Sequence, residues 1–241
     1  MSQFNTYYDS KLITQRIKDG GHRGVVGGLW EELGKLQFDY LVSQGLKPQM
    51  TFLDIGCGCL RGGVHFINFL EPGHYYGLDL SQALLDVGYD QELAQAGLQD
   101  KLPKENLLCT DRFKLPDSIQ KVDMAIALSV FTHLPLNSLK LCLLNMTNVV
   151  VPGGKIFASV FVANSTQEWG SAILHKPGGI TTHPDRDPFH YQQHDLEYCC
   201  QGLQWELESL KSWNHPRDQW MATFVRLDWL RPISGKKMPH T

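Results

Sequence analysis

The sequence predicts an α/β protein built on a largely parallel sheet, and three observations point that way. Short apolar runs alternate along the chain with segments of helical spacing. One run, VDMAIALSV at 122–130, is apolar nearly throughout, as in a strand covered on both faces. Another, TFLDI at 51–55, ends in glycines and is followed by a helical pattern, as in a right-handed crossover unit.

In chain order, residues 1–28 are polar and glycine-rich, and GGHRGVVGG at 20–28 is incompatible with a stable helix. Leu29, Trp30, Leu33, Leu36, Tyr40 and Leu41 then recur at helical spacing. Gly45 and Pro48 follow, so a helix is expected over 29–44. Strand 51–55 leads into a helix at 62–70. YYGLD at 75–79 is a second strand, followed by a helix capped by Ser81. NLLCT at 106–110 and the run at 122–130 are the third and fourth strands. Asn137 is the expected cap of a helix with Leu139, Leu143 and Met146 on its apolar face. The PGG at 152–154 is read as a turn into a fifth strand, KIFASVFV. Residues 163–192 show no clear period and carry Pro177, Pro184 and Pro188, which marks a loop or lid insertion. Asp195 is the expected cap of a short helix ending at Cys200. LQWELESLK and WMATFVRL alternate as two antiparallel closing strands. The tail 232–241 reads as mobile.

The composition excludes several classes. The 241 residues are 42% apolar and 20% charged with a formal net charge of −3, so there is no basic balance to draw nucleic acid. No apolar run reaches membrane-spanning length, and the opening MSQFNTYYDSK lacks the apolar stretch expected of a signal peptide. The six cysteines stand at 57, 59, 109, 142, 199 and 200, without a disulfide-like or CxxC pattern. A reduced, cytoplasmic setting is the expectation. HPDRDPFH at 183–190, with His194 beyond it, offers metal-ligand types. Its prolines suit a plain loop equally, and no metal is assigned.

The informative feature is strand–Asp–x–Gly–x–Gly–helix at Asp54, Gly56 and Gly58. Glycines there permit a sharp turn and let a ligand lie on bare backbone. Parallel sheets bind nucleotides in the crevice outside their carboxyl ends. Asp79 closes the next strand, 21 residues after Gly58, where a carboxylate can take both hydroxyls of a ribose. A dinucleotide fingerprint needs a third glycine at position 61, which is Arg61. The acid two residues before the first glycine suits an amine or sulfonium better than a diphosphate.

At these residues the chain resembles the class I S-adenosylmethionine (SAM) methyltransferases. LDIGCG (53–58) looks like that family's first motif and GLDLS (77–81) its second. CTDRFKLP (109–116) is similar to the adenine-contacting loop. ALSVFTHL (127–134) and VPGGKIF (151–157) are similar to later segments. The resemblance implies a Rossmann-like, three-layer α/β/α fold. Its sheet is seven-stranded and mostly parallel, in order 3-2-1-4-5-7-6, with the last strand antiparallel. It divides the chain into an N-terminal helical lid segment (1–48) and a SAM-binding domain (49–231). By the same resemblance Asp54, Gly56, Cys57 and Gly58 approach the methionine part, Asp79 holds the ribose, and Leu80 packs on the adenine. Asp111, with Arg112 beside it, meets the adenine amine, and Ser129 lies under the sulfonium. The family usually has a glycine where this chain has Leu60, which puts the local loop shape in question.

The expected activity is SAM-dependent methylation of an oxygen or nitrogen of a small, acidic or hydroxylated metabolite. His133, His190 and His215 are the candidate bases. Trp30, Tyr191 and Arg217 are the candidates to touch the acceptor, although Trp30 can equally pack helix to sheet. The alternatives are a protein methyltransferase and a non-catalytic SAM-binding protein. An NAD-dependent dehydrogenase is disfavoured by Arg61. Oligomeric state is not legible.

Overall fold

In the computed structural model, residues 6–119 and 121–228 are described. The N-terminal segment forms α1 (Ser10–Lys18), whose cap Asp9 accepts from the Leu12 N–H at 3.0 Å, and a single turn, α2 (His22–Val25). The sequence reading missed α1, and one helical turn does form inside the glycine-rich 20–28. Glu92 helps to hold that turn: its buried carboxylate meets His22 at 2.6 Å and Arg23 at 2.7 Å. α3 (Trp30–Ser43) ends as its sequence requires. Gly45 takes φ +98, and the Leu46 N–H returns to the Leu41 carbonyl at 3.0 Å.

The α/β body follows: β1 (Phe52–Ile55), α4 (Gly63–Phe69), β2 (Tyr75–Asp79) and α5 (Gln82–Val87). Ser81 caps α5, accepting from the Leu84 N–H. A π-helical turn (Gly88–Leu93) and α6 (Ala94–Ala96) extend α5. Then come β3 (Leu107–Cys109), β4 (Val122–Ala127), α7 (Leu136–Met146) and β5 (Val150–Val162). The insertion holds α8 (Thr166–Trp169), β6 (Ile173–His175), β7 (Ile180–Thr182) and β8 (His190–Tyr191). α9 (Gln193–Cys200), β9 (Trp205–Ser212) and β10 (Trp220–Arg226) complete the described chain.

The main sheet runs β3-β2-β1-β4-β5-β10-β9, which is the strand order the resemblance implies. β10 is antiparallel to both its neighbours. β8 adds a short parallel pairing to the end of β5 that the sequence did not suggest. Residues alternate across the sheet in two packed layers. Phe52, Met124 and Ile126 face Leu41, Phe66 and Ile67 from α3 and α4, while Leu53, Ala125 and Ala127 face Leu139, Leu143 and Leu196 from α7 and α9.

Four local expectations change. Pro135, not Asn137, is the N-cap of α7: its ring sets φ −66 and its carbonyl takes the Ser138 N–H at 2.8 Å. Gln192 caps α9, and Asp195 sits three residues in, its carboxylate accepting from the Gln192 N–H at 2.8 Å. PGG does not precede β5 but lies inside it, as an irregularity between the pairs Val122–Val150 and Met124–Lys155, with Gly153 at φ +78. The fourth strand stops at Ala127, because Ser129 turns to φ +57. The expected tail at 232–241 lies outside the described residues.

Candidate active site

The cavity opens at the carboxyl ends of β1, β2 and β4. Asp54, Gly56, Cys57, Gly58, Arg61, Asp79, Leu80, Ser129, Val130 and His133 line it, with Tyr7 and Val26 contributed by the N-terminal segment. Gly56 and Gly58 take φ +73 and +56, as the glycine turn requires. A Cβ on Gly56 would lie 2.4 Å from Val130 Cγ2, and one on Gly58 2.6 Å from Val26 Cγ1. Both valines line the cavity, so a side chain at either glycine would press on its wall.

The two acids are held differently. Asp54 is buried and accepts from the Tyr75 hydroxyl at 2.9 Å. Burial pushes its carboxyl up to about 7, against the opposing pull of the Tyr75 bond and Arg61. Asp79 accepts the Gly58 N–H at 2.9 Å on one oxygen and the Ser81 N–H at 2.9 Å on the other, and the Leu80 N–H also acts on it. A carboxylate has about four lone-pair sites, so acceptor capacity remains. Burial raises Asp79 to about 6, and these main-chain donors hold it back.

Leu60 adopts φ +68, the conformation that the glycine usual at this position in the family takes freely. Its side chain points into the core, fully buried and packed under Gly63 and Gly88, and leaves the cavity clear. Cys57 lines the cavity with its thiol buried and pushed well up by desolvation, so it is a neutral wall atom. Ser129 is fixed from both ends: its N–H donates to Ser159 Oγ at 2.7 Å and its hydroxyl to Gln219 Oε1 at 3.0 Å. Asp111 lies on a second cavity, with Leu80, Ser81, Cys109 and Thr110. Tyr7 and Leu80 belong to both cavities. Arg112 is exposed and lines neither; its carbonyl accepts from Asn145 at 2.7 Å.

Of the three candidate bases, the structure brings only His133 to the cavity. His190 is buried between Thr182 Oγ1 at 2.7 Å and the Trp169 carbonyl at 2.9 Å, in a chain that continues to His175. His215 is buried, and its Nδ1 accepts from the Arg217 N–H at 3.1 Å. Desolvation, with Arg217 and Arg61 adding to it, lowers it to about 3. The three acceptor candidates are likewise engaged elsewhere. Arg217 donates to the Gly27 carbonyl at 2.6 Å. Trp30 packs under the Arg23 guanidinium, 4.5 Å from ring to Cζ. Tyr191 is buried and donates to the Phe131 carbonyl at 2.8 Å while also reaching that of Leu134. Among the described residues no group of three or more His, Cys, Asp or Glu could hold a metal, and no helix is long and apolar enough to cross a membrane. All six thiols are free.

Sequence reasoning missed Tyr7, Gln37, Tyr75, Ser159 and Gln219, and treated Arg61 only as a missing glycine. Gln37 carried a signal: it interrupts the buried stripe of Leu33 and Leu41 at helical spacing, and it lines the cavity. Arg61 is buried, and its Nη1 holds the carbonyls of Val26 at 2.8 Å and Gly28 at 2.9 Å.

Residues 53–156 match a family model described as a methyltransferase domain. Among solved structures, the chain is similar to magnesium protoporphyrin IX methyltransferase from Synechocystis PCC 6803 with bound S-adenosylhomocysteine. Identity is 16%, the TM-score is 0.60, and 90% of this chain and 99% of that one are covered. It is also similar to a SAM-dependent methyltransferase from Clostridium acetobutylicum ATCC 824, at 13% identity and TM-score 0.58 over 92% and 100% of the two chains. A third is the pyocyanin biosynthetic protein PhzM, at 14% identity and TM-score 0.60 over 89% and 61%. The match thus covers the segment that carries the glycine turn and the first four strands of the sheet, and the likeness to these structures is one of fold.

Proposed function

We propose that this protein transfers the methyl group of SAM to an oxygen or nitrogen atom of a small molecule. The observation that carries the reading is the pairing of two carboxylates, Asp54 and Asp79, around the side-chain-free main chain of Gly56 and Gly58 in one cavity. Asp54 suits the ammonium of the methionine end. Asp79 suits the ribose, with acceptor capacity left after its main-chain donors. Leu80 and Asp111, on the adjoining cavity, suit the adenine. The cofactor supplies an electrophilic methyl group on a sulfonium. The chain's part is to bind it, align the acceptor and exclude water, which together can supply much of the rate.

Tyr7 and Val26 favour a compact acceptor, since both close the cavity from the N-terminal side. A hydroxylated or amine acceptor suits the site better than an acidic one. The groups that suggested an acid, Arg217 and His215, are spent on Gly27 and on a main-chain N–H. In this reading residues 1–48 act as a lid.

Calorimetry with SAM, S-adenosylhomocysteine and NAD tests the reading. The two adenosyl compounds should bind and NAD should not. Asp79→Ala should cost about 1–3 kcal/mol of SAM affinity, the usual loss for a charge-assisted partner. Absence of SAM binding by the intact chain defeats the proposal.

A further inference from the structure

A side chain of the insertion between β5 and α9 meets a residue that lines the cavity. Asp187 Oδ1 lies 2.6 Å from His133 Nδ1, across 54 residues of sequence. The pair is part-buried, with 30% of the His133 side chain and 21% of the Asp187 side chain exposed. The contact is not left to two flexible side chains. The main chain that carries His133 is held by the insertion at three carbonyls: Phe189 donates its N–H to Thr132 at 2.7 Å, and Tyr191 reaches Phe131 and Leu134. From the other side the Tyr7 ring meets the imidazole edge-on, 5.2 Å between centroids. The fold therefore fixes the ring from three directions.

We propose that Asp187 is a positioning residue that holds His133 as the proton acceptor of the reaction, so that the atom methylated is one that carries a proton. This rests on the methyltransferase reading above. An ionised carboxylate only accepts hydrogen bonds, so the proton of the neutral imidazole is on Nδ1 and its lone pair on Nε2. The acceptor's hydroxyl or amine forms the new bond to the methyl carbon with its own electron pair. The carbon–sulfur pair stays on sulfur, and the acceptor's proton passes to Nε2. The imidazolium that results is stabilised by Asp187, and water later takes the proton. The same arrangement gives no advantage to an acceptor without a proton, such as a tertiary amine or a thioether. Asp185 and Arg186 pair with each other beside Asp187 on its loop, and Arg61, Asp79, Asp187 and Arg217 act on Tyr7, whose ring meets His133.

The experiment uses the full chain with SAM and the small-molecule fraction of a cell extract as acceptor probe, reading S-adenosylhomocysteine release between pH 5.5 and 9. Calorimetric SAM affinity and thermal unfolding are measured in parallel. Asp187→Asn should lower turnover roughly 10–100-fold. It should move the acid limb of the rate profile to lower pH, since the imidazolium loses its counter-charge, and leave SAM affinity within about twofold. Asp187→Glu should recover part of the rate, and His133→Gln should remove the acid limb. Asp187→Asn with an unchanged rate and pH profile overturns the proposal, as does His133→Gln with full activity. SAM binding without any product release also overturns it, because a site that turns nothing over has no proton to pass. Failure to bind SAM instead defeats the methyltransferase reading, so the two failures are distinct.

Discussion

Tyr75 donates its hydroxyl to Asp54 at 2.9 Å from beneath the glycine turn, both residues being buried. The bond ties the second strand to the first at the floor of the cavity and opposes the burial that lifts the Asp54 carboxyl to about 7. Tyr75→Phe should therefore weaken SAM binding near neutral pH by roughly ten- to a hundredfold, corresponding to about 1.5–3 kcal/mol for a hydrogen bond to a charged group. Calorimetry at pH 7.5 and at pH 9 checks it, and the loss should be smaller at the higher pH.

The pH dependence of SAM binding follows from the two raised acids, about 7 for Asp54 and about 6 for Asp79. Each is raised above the ordinary aspartate value of 3.8, so the ligand-free fold binds more protons than the unfolded chain between about pH 4 and 7. These two groups make it less stable as pH rises through that window. A cationic ligand favours the ionised forms. SAM affinity should climb from pH 5.5 to 7.5, by at most about tenfold per unit per carboxylate, and flatten above about pH 8. In Asp54→Asn the upper part of the climb should vanish in a calorimetric series.

Gly56→Ala should damage both fold and site. The residue sits at φ +73, and the added methyl would meet Val130 Cγ2 at 2.4 Å. A destabilisation of about 1–3 kcal/mol is expected from the backbone alone. Denaturant unfolding would report it, and SAM affinity should fall at least tenfold as the cavity wall shifts.

Leu60→Gly sets two effects against each other. Glycine relieves a left-handed backbone worth about 1–2 kcal/mol. It also empties a fully buried leucine position, at a cost of about 2–5 kcal/mol. The packing loss is the larger, so the variant should be less stable by denaturant unfolding even though glycine is usual here in the family.

Arg217→Ala should free the N-terminal segment without disturbing the sheet, since it removes the 2.6 Å bond to the Gly27 carbonyl. Amide hydrogen exchange over 24–28 should quicken about tenfold, equivalent to about 1.4 kcal/mol of lost local protection, while β1 and β4 keep theirs.

Much of this molecule was legible in the sequence because its signals are local. The glycine turn, Asp79 at the end of β2, the Ser81 cap and the period-two closing strands each depend on a few neighbouring residues. What was not legible is long-range. Asp187 meets His133 across 54 residues, Arg217 meets Gly27 across 190, and no pattern along the chain announces either. The insertion read as structureless because β6 and β7 are three residues each and β8 two, too short to establish a period. The caps of α7 and α9 were displaced because Asn and Asp also serve within a first turn, and only the backbone decides which residue comes before it. His190 and His215 were plausible bases by residue type. Burial among local partners is a property of the packed chain and keeps them off the cavity that Asp54 and Asp79 line.

Three successive carbonyls, those of Val26, Gly27 and Gly28, are gripped by guanidinium groups that arrive from two distant parts of the polypeptide. The rim above the glycine turn is thus stitched from just behind β1 and from the last hairpin at once. Trimming the N-terminal side past Gly28 would remove the main chain that both arginines hold and leave the sheet's strands intact, so such a truncated version would report the wrong residence time for whatever nests inside.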